Sequence, residues 1–306
     1  MKIQKYNAII LGGGLAGISC ALELIHEHET NFLLLESSAK LGGQLPLIKF
    51  SIRDLGGAFF KDGQELLDQI NSSVEKFSVP YKKDVSVTGV DLKKKQVFTS
   101  AGNFETTAIV IATGLRTRLL DVKADANLIE QIIYWVEGRE EDVWNTNVTV
   151  IGGGDYATIE ALGAAQHGSK VTLVNRGPLR ARPDLKQDVE NNPNLKLLLG
   201  YEVSAIKGSP NIESVEVTNP KTGETVAIPT NRLVVKIGMM PNTELFKDSL
   251  SLDGGGYIPV SKDMQTSISG VYAIGDVTDA RYLRLGTAVG GGVAAANELL
   301  RHFVRA

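Results

Sequence analysis

Apolar residues in this chain fall into short runs that end in glycine and pass into stretches with helical spacing. The run "AIIL" at 8–11 stops at three glycines, continues as "LAGISCALELI", and is followed by a second apolar run, "FLLL" at 32–35. The same order returns as "VTVI" at 148–151, three glycines, "DYATIEALGAA", and "VTLV" at 171–174. Unbroken apolar runs of this length, bounded by turn residues, predict strands covered on both faces, and the longer stretches between them predict helices. A strand, a tight glycine turn, a helix and a second strand make a βαβ unit, so the fold class is α/β with two Rossmann-like units. Two further strands end in small residues, "TTAIVIATG" at 106–114 and "SGVYAIGDV" at 269–277. The last long segment, "GTAVGGGVAAANELLRHF", predicts a helix small enough in profile to approach a ligand closely, with its N-terminus aimed at negative charge.

The glycine turns carry chemistry at defined spacing. Gly12, Gly14 and Gly17 form GxGxxG, and Glu36 ends the following strand 19 residues after Gly17. In such a turn the first glycine allows the sharp bend, the second lets backbone touch a pyrophosphate, and the third position must be small where helix meets sheet. The acid at the next strand end accepts hydrogen bonds from a ribose diol, so Glu36 predicts an adenosine ribose with a free 2′-hydroxyl. The second copy reads Gly152, Gly154, Ala157, with Asn175 and Arg176 where the acid would stand and Arg180 and Arg182 close behind. Guanidinium groups bind a 2′-phosphate that a carboxylate would repel, which favours NADPH over NADH. The plainer alternative is that these arginines only solvate a loop.

Bulk properties narrow the remaining choices. A chain of 306 residues has room for two domains, and a formal net charge of -3 gives no reason to expect nucleic acid as a partner. No stretch approaches the length of a membrane span, and the N-terminal segment lacks the long apolar region of a signal peptide, so a cytoplasmic protein is expected. A single cysteine, Cys20, excludes an intramolecular disulfide. The four histidines, His26, His28, His167 and His302, fall outside every motif, and no cluster has metal-ligand spacing.

Taken together the motifs resemble the two-domain flavoprotein oxidoreductases of the thioredoxin reductase type, which include the thioredoxin-reductase-like ferredoxin/flavodoxin-NADP reductases. "GGGLAG", "LGGQL" at 41–45, "ATG" at 112–114, "GGGDYA" at 152–157, "IGMMPNT" at 237–243 and "YAIGDV" at 272–277 occur in that family's order. The resemblance implies two three-layer ββα domains, the second inserted into the first: an FAD-binding domain at 1–117 and 244–306, and an NAD(P)H-binding domain at 118–243. It implies that FAD is held by Gly12, Gly14, Leu15, Ala16, Gly17 and Glu36, by Gly43, Gln44, Leu45 and Asp54, and by Val87 at the adenine. Ala112, Thr113, Gly114, Gly275, Asp276, Thr287 and Ala288 complete that set. For NADPH it implies Gly152, Gly154, Asp155, Tyr156, Ala157, Asn175, Arg176, Arg180, Arg182 and Gly238, and for the assembly a homodimer.

The resemblance also locates a departure. In thioredoxin reductases the segment before the second glycine loop carries a redox Cys-x-x-Cys, which here corresponds to Trp135 and Gly138 within "QIIYWVEGREED". Dithiol exchange needs two sulfurs, so the chain is not expected to reduce thioredoxin by itself. Electrons are expected to leave the flavin directly, toward ferredoxin, flavodoxin or a small-molecule acceptor such as a quinone. The alternatives are a degenerate nicotinamide site with a second flavin or a sensor role, and a thiol partner that docks at the flavin. Phe50 and Trp135 are the candidate rings to stack on the flavin, Tyr134 and Trp135 packing between the domains instead being the other option. Glu137–Asp142 read as a solvated turn, and with the last helix reaching Ala306 no lid is expected beyond it.

Overall fold

The computed structural model describes residues 4–305, with side chains through Val304. The chain divides into two compact units, one taking the described residues up to Arg116 and from Met240 onward, the other running from Thr117 to Met239.

The first unit begins with β1 (Gln4–Leu11), α1 (Leu15–His26), β2 (Phe32–Leu35), α2 (Gly63–Lys76), β3 (Tyr81–Lys82), β4 (Val87–Asp91), β5 (Gln96–Thr99) and β6 (Gly102–Ile111). The chain passes through the short β7 (Leu115–Thr117) into the second unit. There it forms α3 (Ala126–Ile129), β8 (Asn147–Ile151), α4 (Asp155–Gln166), β9 (Lys170–Asn175), α5 (Pro183–Asn191) and β10 (Leu195–Leu199). Next come β11 (Glu202–Lys207), β12 (Ser214–Thr218), β13 (Thr225–Pro229) and β14 (Arg232–Val235). The chain returns through β15 (Met239–Pro241) and finishes the first unit with β16 (Val271–Ala273) and α6 (Leu285–Arg305).

In the first unit β3, β2, β1 and β6 lie side by side in parallel, and β16 joins β6 in parallel as well. β6 serves two neighbours along its length: Gly102–Glu105 pair antiparallel with β5, and Ile109–Ile111 pair with β16. The apolar runs do not alternate because both faces are covered. Ala8, Ile10, Phe32, Leu34 and Val110 pack under α1 and α6, whereas Ile9, Leu11, Leu33, Leu35 and Ile111 pack against Val85, Val97, Phe104, Phe246 and Ile258. Each Ile or Leu so buried is worth about 1.5–3 kcal/mol relative to exposure, so a charged residue at Ile10 would undo the central strand. Gly292 of α6 lies so close to α1 that a Cβ there would sit 2.7 Å from the Ala16 carbonyl oxygen, which explains the small-residue composition of the last helix.

The second unit repeats the plan. β10, β9, β8 and β14 form a parallel sheet, with β11, β12 and β13 as a separate antiparallel sheet. Val148, Val150, Val171 and Leu173 face α4 and α5. Ile151, Val174, Leu233 and Val235 face Ile206, Val215, Val217 and Ile228 of the antiparallel layer. Each unit is therefore built of helix, parallel sheet and antiparallel layer.

Candidate functional site

Both glycine turns adopt the conformation that their spacing requires. Gly12 has φ +115° and its missing Cβ would lie 2.3 Å from the Ala112 carbonyl oxygen; Gly152 has φ +143° and the equivalent clash is with the Lys236 carbonyl at 2.3 Å. A side chain at either position is excluded twice over, by backbone conformation and by the adjacent strand end.

The helix after each turn starts differently from an ordinary one. α2 is capped by side chains, with Asp62 accepting from Glu65 N at 2.9 Å and Glu65 accepting from Lys61 N at 2.6 Å. α1 and α4 start at Gly14 and Gly154 with no side-chain cap. Their first amides are left for an anion, and the helix dipole favours one there. No Cβ would be obstructed at Gly154, and at Gly14 one would meet only Gly43 Cα at 4.0 Å. This geometry fits a pyrophosphate at each helix N-terminus.

Around α1 the first unit gathers most of the expected residues. Glu36 is 9% exposed, and its carboxylate accepts from Gly13 N at 2.8 Å, Ser38 N at 2.7 Å and Ser38 Oγ at 2.8 Å. The serine hydroxyl can rotate away and leave that oxygen free to accept from another hydroxyl. Gly42 N donates to Gly13 O at 2.7 Å, which brings the "LGGQL" loop against the glycine turn. Gln44 Nε2 lies 3.9 Å from where a Cβ on Gly114 would be, so the Ala112–Gly114 loop faces Gln44. Gly275 abuts Ala16, its missing Cβ 2.7 Å from the Ala16 methyl, and so places Asp276 beside the first turn of α1. Asp276 is partly buried and, among the described residues, its carboxylate has no hydrogen-bond partner. Burial holds its carboxyl above the ordinary range. An acceptor of that kind suits a ligand hydroxyl such as those of ribitol.

Ala288 is buried where α6 begins, while Thr287 is exposed. Leu45 belongs to a small apolar cluster with Ile52 and Phe60. Val87 on β4 packs against the cluster on the other side of the sheet, well apart in sequence from the glycine turn. Asp54 and Phe50 lie exposed on the loop after Leu45, Phe50 at 61%, and Asp54 makes no hydrogen bond among the described residues. One residue that the motifs did not single out is Asn242: its Nδ2 donates to Thr113 O and its carbonyl accepts from Thr113 Oγ1, both at 2.8 Å, and its N donates to Gly114 O at 3.0 Å. The signal was present in "IGMMPNT", but nothing local says that this asparagine clamps a loop 129 residues earlier.

In the second unit, Ala157 is fully buried against the sheet. Asn175 closes the turn after β9, its Nδ2 donating to the carbonyls of Gly177 and Pro178 at 2.8 and 3.0 Å. Arg180 N donates to Gly153 O at 2.6 Å, which holds the arginine loop against the glycine turn. The three arginines differ in their engagements. Arg182 donates its backbone N to Asp155 at 2.8 Å and its guanidinium lies 3.4 Å from the same carboxylate and 3.8 Å from Asp184. Arg176 and Arg180 are exposed, and among the described residues their guanidiniums are unpaired. Tyr156 is 67% exposed on α4, and Gly238 has φ +96° with open space beside it.

The stretch before the second glycine loop is not the wholly solvated turn expected. Arg139 and Asp142 pair at 2.7 Å on the surface, but Glu137 turns inward to Lys236. Tyr134 OH accepts from Leu120 N at 3.0 Å, and Trp135 Nε1 donates to Thr117 Oγ1 at 3.1 Å, so both rings are held inside the second unit. His167 lies exposed at the C-terminal end of α4, where its ring stacks on Trp144 at 4.4 Å. Cys20 is fully buried, which pushes its thiol far above the ordinary range. Among the described residues no acidic, histidine or cysteine cluster could hold a metal, and no helix is long and apolar enough to cross a membrane.

Comparison with known proteins agrees with this geometry. The model of the pyridine nucleotide-disulphide oxidoreductase family matches residues 6–296. A thioredoxin reductase of Streptomyces coelicolor is 31% identical over 299 residues, covering 95% of this chain and 91% of its own. A 34.2 kDa protein in the rubredoxin operon of Clostridium pasteurianum is 29% identical over 301 residues, covering 97% of each. The crystal structure of Lactococcus lactis thioredoxin reductase superposes with a TM-score of 0.81 at 28% identity, over 98% of this chain and 100% of that one. With a family match that spans both glycine turns, the chain belongs to the pyridine nucleotide-disulphide oxidoreductases and, like the thioredoxin reductases among them, uses FAD and NADPH.

Proposed function

We propose that the protein passes electrons between NADPH and a small external electron-carrier protein of the ferredoxin or flavodoxin kind, through its flavin and without a disulfide of its own. The observation that carries this reading is the state of sulfur in the chain. Its one cysteine, Cys20, is wholly buried, and Trp135 and Gly138 stand where the resemblance puts the redox pair. Bound FAD supplies hydride acceptance and outward electron release, which need no acid or nucleophile from the protein. The residues of the chain hold the nucleotide, through the uncapped α1 amides, Glu36 and Asp276, and fix its position through the Asn242 clamp.

The surface next to this cradle supports a protein acceptor. Residues 46–61 and 279–285 carry Lys49, Arg53, Lys61, Arg281 and Arg284 against only Asp54 and Asp279, in a chain whose net charge is -3. Leu47, Phe50, Phe59 and Tyr282 are exposed on the same segments, and Leu285 packs into the cluster formed by Leu45, Ile52 and Phe60, which joins the two segments. Apolar rings set among cations suit a small acidic carrier. The relative named for a rubredoxin operon points the same way, toward a small redox protein. Work as a cytoplasmic homodimer is part of the same proposal.

Anaerobic titration with NADPH tests the sulfur argument. The flavin is expected to bleach completely at about one NADPH per FAD, with no free thiol released. Uptake of a second equivalent with the appearance of new thiols would overturn it.

A further inference from the structure

A polar network in the first unit ends on the loop beside the first glycine turn. Asn242, directly after β15, engages three groups of the Ala112–Gly114 loop that follows β6: Thr113 O, Thr113 Oγ1 and Gly114 O. The Asn242 amide is itself held, because Arg116 Nη1 donates to its Oδ1 at 2.8 Å. The same guanidinium donates to Pro241 O at 3.2 Å and to both carboxylate oxygens of Glu244. A guanidinium has donors only, so Oδ1 must face Arg116 and Nδ2 must face the Thr113 carbonyl. The flipped amide would set donor against donor at Arg116 and acceptor against acceptor at Thr113. Arg116 therefore fixes which way the amide points, and the Asn242 Nδ2 fixes the Thr113 carbonyl.

The direction of one peptide unit follows. The bond between Thr113 and Gly114 is trans, and in a trans peptide the carbonyl and the N–H point opposite ways. With Thr113 O turned to Asn242, Gly114 N–H is turned away from it, and among the described residues that N–H has no acceptor. The loop stands between the glycine turn and Gln44: a Cβ on Gly12 would lie 3.3 Å from Thr113 N, and one on Gly114 would meet only Gln44 Nε2, at 3.9 Å. β1 is flanked by β2 on one side and β6 on the other, and ligands of such sheets sit in the crevice outside the carboxyl ends of strands that diverge in this way. With Glu36 after β2 on the adenosine side, the loop after β6 borders the flavin half. We propose that Arg116 and Asn242 are positioning residues for the flavin, a relay that fixes the Thr113–Gly114 peptide with its N–H presented as a donor to bound FAD. A fixed donor favours the electron-rich reduced flavin over the oxidised one, so the relay raises the flavin's potential. The assignment rests on FAD binding at the first glycine turn.

Two properties of the holoenzyme test the relay without turnover: FAD released on dilution, read from flavin fluorescence, and the flavin midpoint potential, read by spectroscopic redox titration. The Arg116 side chain is 42% exposed, so Arg116→Ala is expected to fold as the parent does. It is expected to weaken FAD binding by about threefold to tenfold, as loss of one hydrogen bond implies, to lower the potential and to shift the visible absorption of the flavin. Asn242→Ala is expected to act in the same direction, and Arg116→Ala added to it to change little further, because Arg116 works through that amide. Arg116→Lys, which keeps a donor, is expected to recover most of the parent behaviour. Additive effects in the double variant, or single variants whose potential and spectrum match the parent, would overturn the relay.

Discussion

Removing the Arg176 guanidinium tests the proposal that the arginine loop of the second unit holds the 2′-phosphate of NADPH. Arg176 stands one residue past β9, exposed and unpaired among the described residues, and Arg180 shares that condition on the same loop. A hydrogen bond between charged partners contributes about 1.5–3 kcal/mol. At about 1.4 kcal/mol per factor of ten, Arg176→Ala should raise the Kd for NADPH by roughly tenfold to a hundredfold. Exposure to solvent places the value near the lower end at about 0.15 M salt, where the Debye length is about 8 Å, and higher at low salt. NADH has no 2′-phosphate, so its affinity should not change. Arg182→Ala should behave differently. Its guanidinium neutralises Asp155, an acid in the first turn of α4, so its loss leaves an uncompensated carboxylate at the uncapped helix start and is expected to weaken NADPH and NADH alike. Equilibrium titration of each variant with both nucleotides at two salt concentrations reads all of this. An unchanged ratio of NADPH to NADH affinity in both Arg176→Ala and Arg180→Ala would refute the assignment of the phosphate to this loop.

The remaining expectations concern the first unit. On the proposal that the Asp276 carboxylate accepts from ligand hydroxyls, Asp276→Asn should lower FAD affinity. Burial also raises the Asp276 carboxyl in the folded apoprotein, which therefore holds more protons than the unfolded chain above the ordinary value of 3.8, and stability from this group falls as pH rises; the Asn variant should lose that slope in pH-dependent denaturant melts. Cys20 should resist alkylation by iodoacetamide in the native protein and react only on unfolding, with NADPH-dependent flavin reduction unaffected; fast native labelling coupled to loss of activity would contradict its burial. Gly12→Ala should abolish FAD retention and lower stability, since the side chain meets the Ala112 carbonyl at 2.3 Å and strains a backbone at φ +115°; a variant that purifies yellow with an unchanged melting temperature would show the turn to be more tolerant than its geometry.

The parts of the site that could be read from sequence are those fixed by backbone geometry. A glycine turn states its own constraint, because Gly12 and Gly152 meet a strand end that any βαβ unit supplies, and Glu36 lies at a set distance along the chain. Unbroken apolar runs such as those at 8–11 and Phe32–Leu35 have few uses other than strands covered on both faces. What stayed hidden depends on contacts between distant segments. Asn242 was visible only as part of a motif, and the inward turn of Glu137 depends on Lys236, 99 residues away. Three arginines within a few positions are equivalent in sequence, but Asp155 engages only Arg182. Charge alone does not say which cations are already paired.

The most direct test of electron transfer straight from flavin to carrier is anaerobic stopped flow, mixing NADPH-reduced enzyme with ferredoxin, flavodoxin, rubredoxin, a small disulfide or thioredoxin. Flavin reoxidation by at least one acidic carrier is expected, at a rate that rises with carrier concentration and falls with added salt. A flavin that stays reduced with every carrier and is reoxidised only by a disulfide would contradict the account.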